Sequence, residues 1–194
     1  GYRNNLWQHS LVCALVSQWV AKEAGYEDLT QEVFFASLMH DIGKLFLITL
    51  IERVKTSKEV PFMPSSAVIN EIIESQHAIQ GYNLMKKWNI PSQYCDVVKE
   101  HHDEKFDSKN IPLIILRLVN KTCHKIGVCV EKNDSFEYSI AAEAGFFGFS
   151  EIKLAQMELQ IEDAVRRVGA HYKIGKPAAR PAKAAAKPAA KTAK

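Results

Sequence analysis

Long apolar runs, strand-like alternation, paired cysteines and a basic folded face are all missing from this 194-residue chain, and each absence removes a class of protein. The longest apolar stretches, residues 45–51 and 111–116, are interrupted or bounded by Thr49, Glu52, Pro112 and Arg117. They fall far short of the roughly 20 residues that span a bilayer as a helix, so no membrane-crossing helix and a cytoplasmic location are expected. The opening GYRNNLWQHS has neither an initiating Met nor the apolar core of a signal peptide, and reads as a start inside a longer protein. Cys13, Cys95, Cys123 and Cys129 follow neither a CxxC nor a disulfide-framework spacing. Buried structural thiols, with no activating base beside them in sequence, are the expectation.

Positive charge is scarce where a nucleic-acid-binding domain needs it. Seven of the 25 Lys and Arg fall in residues 173–194, which hold no acid, leaving 18 bases against 22 acids in residues 1–172. The formal +3 therefore belongs to the tail, and the body is acidic. Polyanion binding requires the bases on a structured face. The tail, KPAARPAKAAAKPAAKTAK, contains Ala, Lys and Pro without a large apolar group, so it cannot offset the entropy of ordering against a core. Residues 173–194 are expected to be a disordered, linker-like basic tail whose binding to polyanions is weak and salt dependent. Residues 1–172, in a chain that is 47% hydrophobic, suit one globular domain.

What is present is helical periodicity almost throughout. The pattern predicts a first helix over 5–24, with Val12, Leu15, Val16, Trp19 and Val20 inward, ending near Gly25. A second, capped by Asp28 or Thr30, passes Phe34, Phe35, Leu38 and Met39 to His40, Asp41 and Gly43, and the helical pattern continues over 45–54. A loop over 56–64 follows from Pro61 and Pro64. Helical patterns resume at 65–75, 77–88, 92–102, 111–126, 138–147 and 150–168, with a turn at 89–91 and a surface loop at 103–110. An all-α helical bundle results. Trp7, Trp19 and Trp88 and the cluster Phe146, Phe147 and Phe149 read as core or lid packing, the Phe cluster with a partner surface as its alternative.

Five histidines, His9, His40, His77, His101 and His102, fall at helix ends or inner faces, and Asp41 adjoins His40. Neutral imidazoles and a carboxylate are the usual ligands of Fe, Mn, Zn or Ni, and helices can bring them together from distant positions. The spacing is too long for a local zinc motif, so any site is assembled by the fold. Each histidine alone is more simply a hydrogen-bonded core residue. In His40-Asp41-Ile42-Gly43-Lys44, two adjacent ligands address one centre and Gly43 permits close backbone approach. Lys44 offers a compact cation to a substrate phosphate, or else is ion-paired. Asp41 bridging two ions, which lower the pKa of a bound water, would suit attack on phosphorus.

LWQHSL around His9, ASLMHDIGKL around His40 and Asp41, HAIQGYNLMKKWNIP from His77, and KEHH ending in His101 and His102 stand in an order that resembles the HD superfamily of metal-dependent phosphohydrolases. Specifically, residues 6–120 resemble its HDOD branch, a signalling relative of the HD-GYP cyclic-di-GMP phosphodiesterases. The resemblance implies an HD-type helical bundle, one or two divalent ions, and the ligand set His9, His40, Asp41, His77, His101, His102 and Asn120. Asp41 and Lys44 would be the catalytic pair if there is turnover.

Two departures bear on activity. Asn120, in LRLVNKTCHKIG, stands where metal-binding relatives have a late Asp, and brings no charge; His124, one turn on, is the residue that compensates if any does. After His102 comes HDEKFDSKNIP, with no GYP motif. HDOD proteins also usually carry a helical region ahead of the segment matched here. A signal-transduction module with a protein partner is the favoured implication. The alternative is a metal-dependent phosphohydrolase acting on a nucleotide or cyclic nucleotide.

Overall fold

The computed structural model describes residues 2–57, 64–103, 105, 107–129 and 140–172, without the side chains of Ala141 and residues 170–172. The tail expected at 173–194, most of the loop expected at 56–64 and the His171 side chain lie outside the described residues. Among the described residues the secondary structure is entirely helical: α1 (Tyr2–Glu23), a 3₁₀ turn (Glu27–Leu29), α2 (Thr30–Met39), α3 (Ile42–Thr56), α4 (Ser66–Lys87), α5 (Ser92–Glu100), α6 (Ile111–Lys125), α7 (Ala141–Phe146) and α8 (Glu151–Tyr172).

Local chemistry explains most of the ends. After α1, Gly25 takes φ of +80°, Tyr26 N–H reaches back to Ala21 O at 2.8 Å and Gly25 N–H to Lys22 O at 3.1 Å, the bond pair that closes a helix through a left-handed residue. The same closure ends α4, with Asn89 at φ 57° and Ile90 N–H on Met85 O. Asn110 caps α6 by accepting from Leu113 N–H. The cap expected from Asp28 or Thr30 is not found. Leu29 occupies that position, and the preceding 3₁₀ turn satisfies Thr30 N–H through Glu27 O instead. The two patterns at 65–75 and 77–88 are one helix, α4, capped by Ser65 Oγ on Val68 N–H.

The central element is α6, whose residues 113–120 are buried on every side. Its Ile115, Leu118 and Val119 pack with Val12, Val16 and Val20 of α1, Val33 of α2, and Met157, Ile161, Ala164 and Val168 of α8. Each such aliphatic side chain removed from water contributes roughly 1.5–3 kcal/mol. Leu15, Trp19, Phe147 and Phe149 flank this core partly buried. Trp7, Trp88 and Phe146, expected inside, are exposed on outer faces. Smaller clusters join Ala36, Val97, Leu113 and Leu116, and Met85, Cys95 and Val98.

One stretch, Glu27–Thr56, is long and apolar enough by length and composition to cross a membrane, with a mean hydropathy of 1.6, which the short apolar runs did not suggest. Here it breaks at His40 and Asp41 into α2 and α3, and its middle holds buried His40, Asp41 and Lys44. The break matters for the site. A Cβ at Gly43 would fall 1.9 Å from His77 O and 2.7 Å from Gly81 N, so only glycine lets α3 and α4 touch backbone to backbone here. That seam brings His77 to Asp41.

Candidate metal centre

Five helices converge on one buried point. His9 comes from α1, His40 and Asp41 from the α2–α3 break, His77 from α4, His101 and His102 from the end of α5, and Asn120 from α6. His9, His40, Asp41, His77, His101 and Asn120 are each at most 5% exposed; His102 is the exposed member.

The backbone sets the state of three imidazoles. His40 Nδ1 lies 2.7 Å from Ser37 O, His77 Nδ1 lies 3.0 and 2.9 Å from Ile73 O and Glu74 O, and His101 Nδ1 lies 2.7 Å from Val98 O. A carbonyl only accepts, so each Nδ1 carries the proton and each Nε2 presents a bare lone pair. All three Nε2 atoms face Asp41: His40 at 3.5 Å from Oδ2, and His77 and His101 at 3.5 and 3.8 Å from Oδ1. His102 Nε2 adds a fourth nitrogen, 3.0 Å from His77 Nε2 and so placed to donate a hydrogen bond to its lone pair; the same spacing is that of neighbouring nitrogens on an octahedral ion with bonds of about 2.1 Å.

Electrostatics favour ligand-ready forms. Burial, reinforced by neighbouring histidines, holds His101 well below the usual imidazole range and His9 at about 3; burial also lowers His77. Burial opposes ionisation of Asp41, yet the Lys44 ammonium, with Nζ 3.3 Å from Oδ2, holds its carboxyl well below the usual range. His9, His77 and His101 are therefore neutral nitrogens around a carboxylate. His40 Nε2, His101 Nε2 and Asp41 Oδ1 have no hydrogen-bond partner among the described residues. Buried polar atoms are rarely left so, and a divalent cation is the group whose chemistry fits this donor set.

The remaining expected residues fall as follows. Asn120 Oδ1 is 3.0 Å from His9 Nε2, whose other nitrogen donates to Val128 O at 3.0 Å. His124 stacks edge-on to His9, ring centroids 5.5 Å apart, on the Asn120 side, with burial lowering it to about 4. Lys44 is buried and pairs with Asp41 and with Glu74 at 3.4 Å, the ion-paired alternative. Burial alone would lower its pKa, but the two carboxylates raise it.

Two contributors were not anticipated from sequence. Cys13 is buried, as expected, and burial holds its thiol well above the usual range; what was not anticipated is its place beside the site, with Sγ 3.7 Å from His9 Nε2 and 3.9 Å from Cys123 Sγ, for which the four-residue spacing from His9 on one helix face is the signal. Arg117 of α6 donates from Nη1 to His101 O at 3.4 Å and to Asp103 O, bracing the end of α5, and from Nε to buried Glu143 of α7 at 2.9 Å. Lys121 also reaches Glu143, at 2.7 Å. No local pattern marks these partners.

Residues 2–104 match the family model of the HDOD domain; Asn120 and His124 lie beyond that match. The chain is similar to a protein named Ribonuclease Y from Lawsonia intracellularis (strain PHE/MN1-00), 27% identical over 104 residues that cover 54% of this chain and 15% of the relative. It is also similar to an uncharacterized protein of Treponema pallidum (strain Nichols), 22% identical over 109 residues, covering 52% of this chain and 20% of the relative. The chain thus spans no more than a fifth of either curated relative. Among solved structures, an HDOD domain protein of unknown function from Geobacter sulfurreducens superposes with a TM-score of 0.62 at 19% identity, over 86% of this chain and 62% of that one. At that identity the likeness shows the fold.

Proposed function

The chain belongs to the HDOD domain family, and on that premise we propose that it is a cytoplasmic signal-transduction module built around a divalent-metal centre, coupling an input to a protein partner. The single observation that carries the metal centre is the set of three Nδ1-protonated imidazoles whose bare Nε2 atoms face one buried carboxylate. Asp41, His77, His101 and His102 would hold one ion, with His9, His40 and Asn120 completing a second position. A bound ion supplies Lewis acidity. The choice of Fe, Mn, Zn or Ni is open to N- and O-donor sets of this kind.

Signalling is favoured over turnover by burial and charge. A phosphate-contacting lysine must face substrate, whereas Lys44 is buried between Asp41 and Glu74. The protein partner is inferred from family analogy. A second reading, phosphodiester hydrolysis on a nucleotide or cyclic dinucleotide, draws on exposed His102 at the rim and on the likeness to a protein named as a ribonuclease.

Metal analysis of full-length protein purified without chelator, followed by assays with Mn and Fe on a panel of nucleotide phosphodiesters, separates these. Bound metal that raises Tm, with no turnover, is the expected result. Metal-dependent turnover abolished by Asp41→Ala would establish the second reading. No metal uptake under any condition would overturn both.

A further inference from the structure

Resting on the metal-centre reading above, we infer that Cys13 supplies a thiolate ligand to a divalent ion held with His9 and His40, so that the α1 side of the centre takes a borderline-soft cation of the zinc type. The ligand atoms of His9, Cys13 and His40 all lie within 4.8 Å of one another, and all three residues are buried. Around a tetrahedral ion with Zn–S near 2.3 Å and Zn–N near 2.05 Å, sulfur and nitrogen stand about 3.6 Å apart; Cys13 Sγ and His9 Nε2 are 3.7 Å apart.

An independent observation points to a ligand in the same place. His40 is fully buried, its proton is committed to Ser37 O, and its Nε2 has no hydrogen-bond partner among the described residues. Charge gives a third argument. Asn120 offers His9's neighbourhood a neutral oxygen at 3.0 Å, and the nearby carboxylate, Asp41, 3.5 Å from His40 Nε2, is shared with Lys44 and the adjoining ligand set, so a buried divalent ion here lacks part of the charge that offsets its desolvation. A thiolate at Cys13 supplies it. The S–H bond breaks as the S–metal bond forms, the proton passes to solvent, and no electron is transferred. Sγ is nearly equidistant from both His9 nitrogens, at 3.7 and 3.9 Å, so ligation takes a rotation about the Cα–Cβ bond of Cys13. That rotation releases the weak hydrogen bond from Cys13 Sγ–H to Cys123 Sγ at 3.9 Å, and because burial and this bond hold the thiol pKa up, the arriving ion itself must displace the proton. Thiolate ligation selects softer ions than the Asp41, His77, His101 and His102 set next to it.

Cobalt(II) titration of the metal-free full chain, under reductant and without oxygen, tests this separately from the centre itself. Visible d–d absorption reports cobalt held by any ligands; an intense near-ultraviolet thiolate-to-cobalt band reports sulfur. Both are expected in the wild type, the sulfur band disappearing in Cys13→Ser and surviving in Cys123→Ser. Visible bands without the sulfur band in the wild type would overturn Cys13 ligation and leave the centre standing. No cobalt uptake would overturn both. Should Cys13→Ser fail to fold by far-ultraviolet circular dichroism, the triple replacement of Cys95, Cys123 and Cys129 by Ser decides: a retained sulfur band assigns the ligand to Cys13, and a lost one refutes it.

Discussion

Gly43→Ala puts the α3–α4 seam to a quantitative test. The new Cβ would stand 1.9 Å from His77 O, and real Cβ atoms essentially never come closer than 3.0 Å to such a neighbour, so the helices must part by at least 1.1 Å at this point. The obstacle is the α4 backbone, including Gly81 N at 2.7 Å, and no side chain can swing aside to relieve it. Overpacking usually costs about 1–3 kcal/mol, and a backbone clash belongs at the upper end; the helix preference of Ala over Gly returns at most about 1 kcal/mol. A net loss of about 2–3 kcal/mol is expected, read from urea unfolding followed by circular dichroism with the m-value unchanged. Gly169→Ala in α8, where a Cβ meets nothing within 4 Å, is the control, expected to gain roughly 0.5–1 kcal/mol. Because His77 rides on the displaced segment, Gly43→Ala should also weaken metal uptake, since a ligand shift of this size far exceeds the roughly 0.2 Å tolerance of a metal site. A Gly43→Ala protein within about 0.5 kcal/mol of wild type would refute the contact and the positioning argument together.

Acid should destabilise the metal-free protein well before carboxylates titrate. The folded-state pKa values of His9, His77 and His101 are lowered, so the unfolded chain binds more protons once pH falls below about 6.5; their contribution is complete above that pH and shrinks toward pH 3, at up to about 1.4 kcal/mol per pH unit for each. A Tm measured in chelator that stays flat from pH 7.5 to 5 would contradict this. Arg117→Leu strips buried Glu143 of one of its two cations and releases the brace on the α5 carbonyls, and is expected to cost roughly 3 kcal/mol in chemical denaturation; a loss under about 1 kcal/mol would mean the network is dispensable. Asn120→Asp restores a charge beside His9, and should tighten metal binding by on the order of tenfold while lowering the Tm of the metal-free protein. Calorimetric titration showing unchanged affinity would remove Asn120 from the centre.

Much of this was legible in residue order. Gly25 and Asn89 announced the ends of α1 and α4, the apolar run of α6 announced a buried helix, and Gly43 announced close backbone contact. Other features were not. Asp28 and Thr30 both look like caps, yet a 3₁₀ turn with Leu29 at the cap position stands there and bonds Thr30 N–H to Glu27 O, which neither residue's preference encodes. Trp7 and Trp88 are large and apolar, yet which face of a helix end meets the core is decided by neighbours far along the chain. Cys13 is the buried thiol that its spacing suggests, but that it stands against His9, one helical turn away, follows only from the helix. Glu143 and Arg117 are 26 positions apart, and nothing in either neighbourhood names the other.

By itself the sequence determined that the described body is helical, that its basic excess lies at residues 173–194, and that five histidines and an aspartate follow the order of the HDOD family. Those properties are local: helix periodicity and capping are written within a turn or two, and motif order needs no coordinates. Tertiary structure decided what the order means chemically. Crossing of α1, α3, α4, α5 and α6 brought side chains up to 111 residues apart into one buried cluster, the backbone carbonyl one turn behind each of His40, His77 and His101 turned its Nε2 lone pair toward Asp41, and Lys44 was buried between two carboxylates. Convergence of this kind depends on helix crossing and on excluded water, which act between distant segments and leave no periodic trace along the chain.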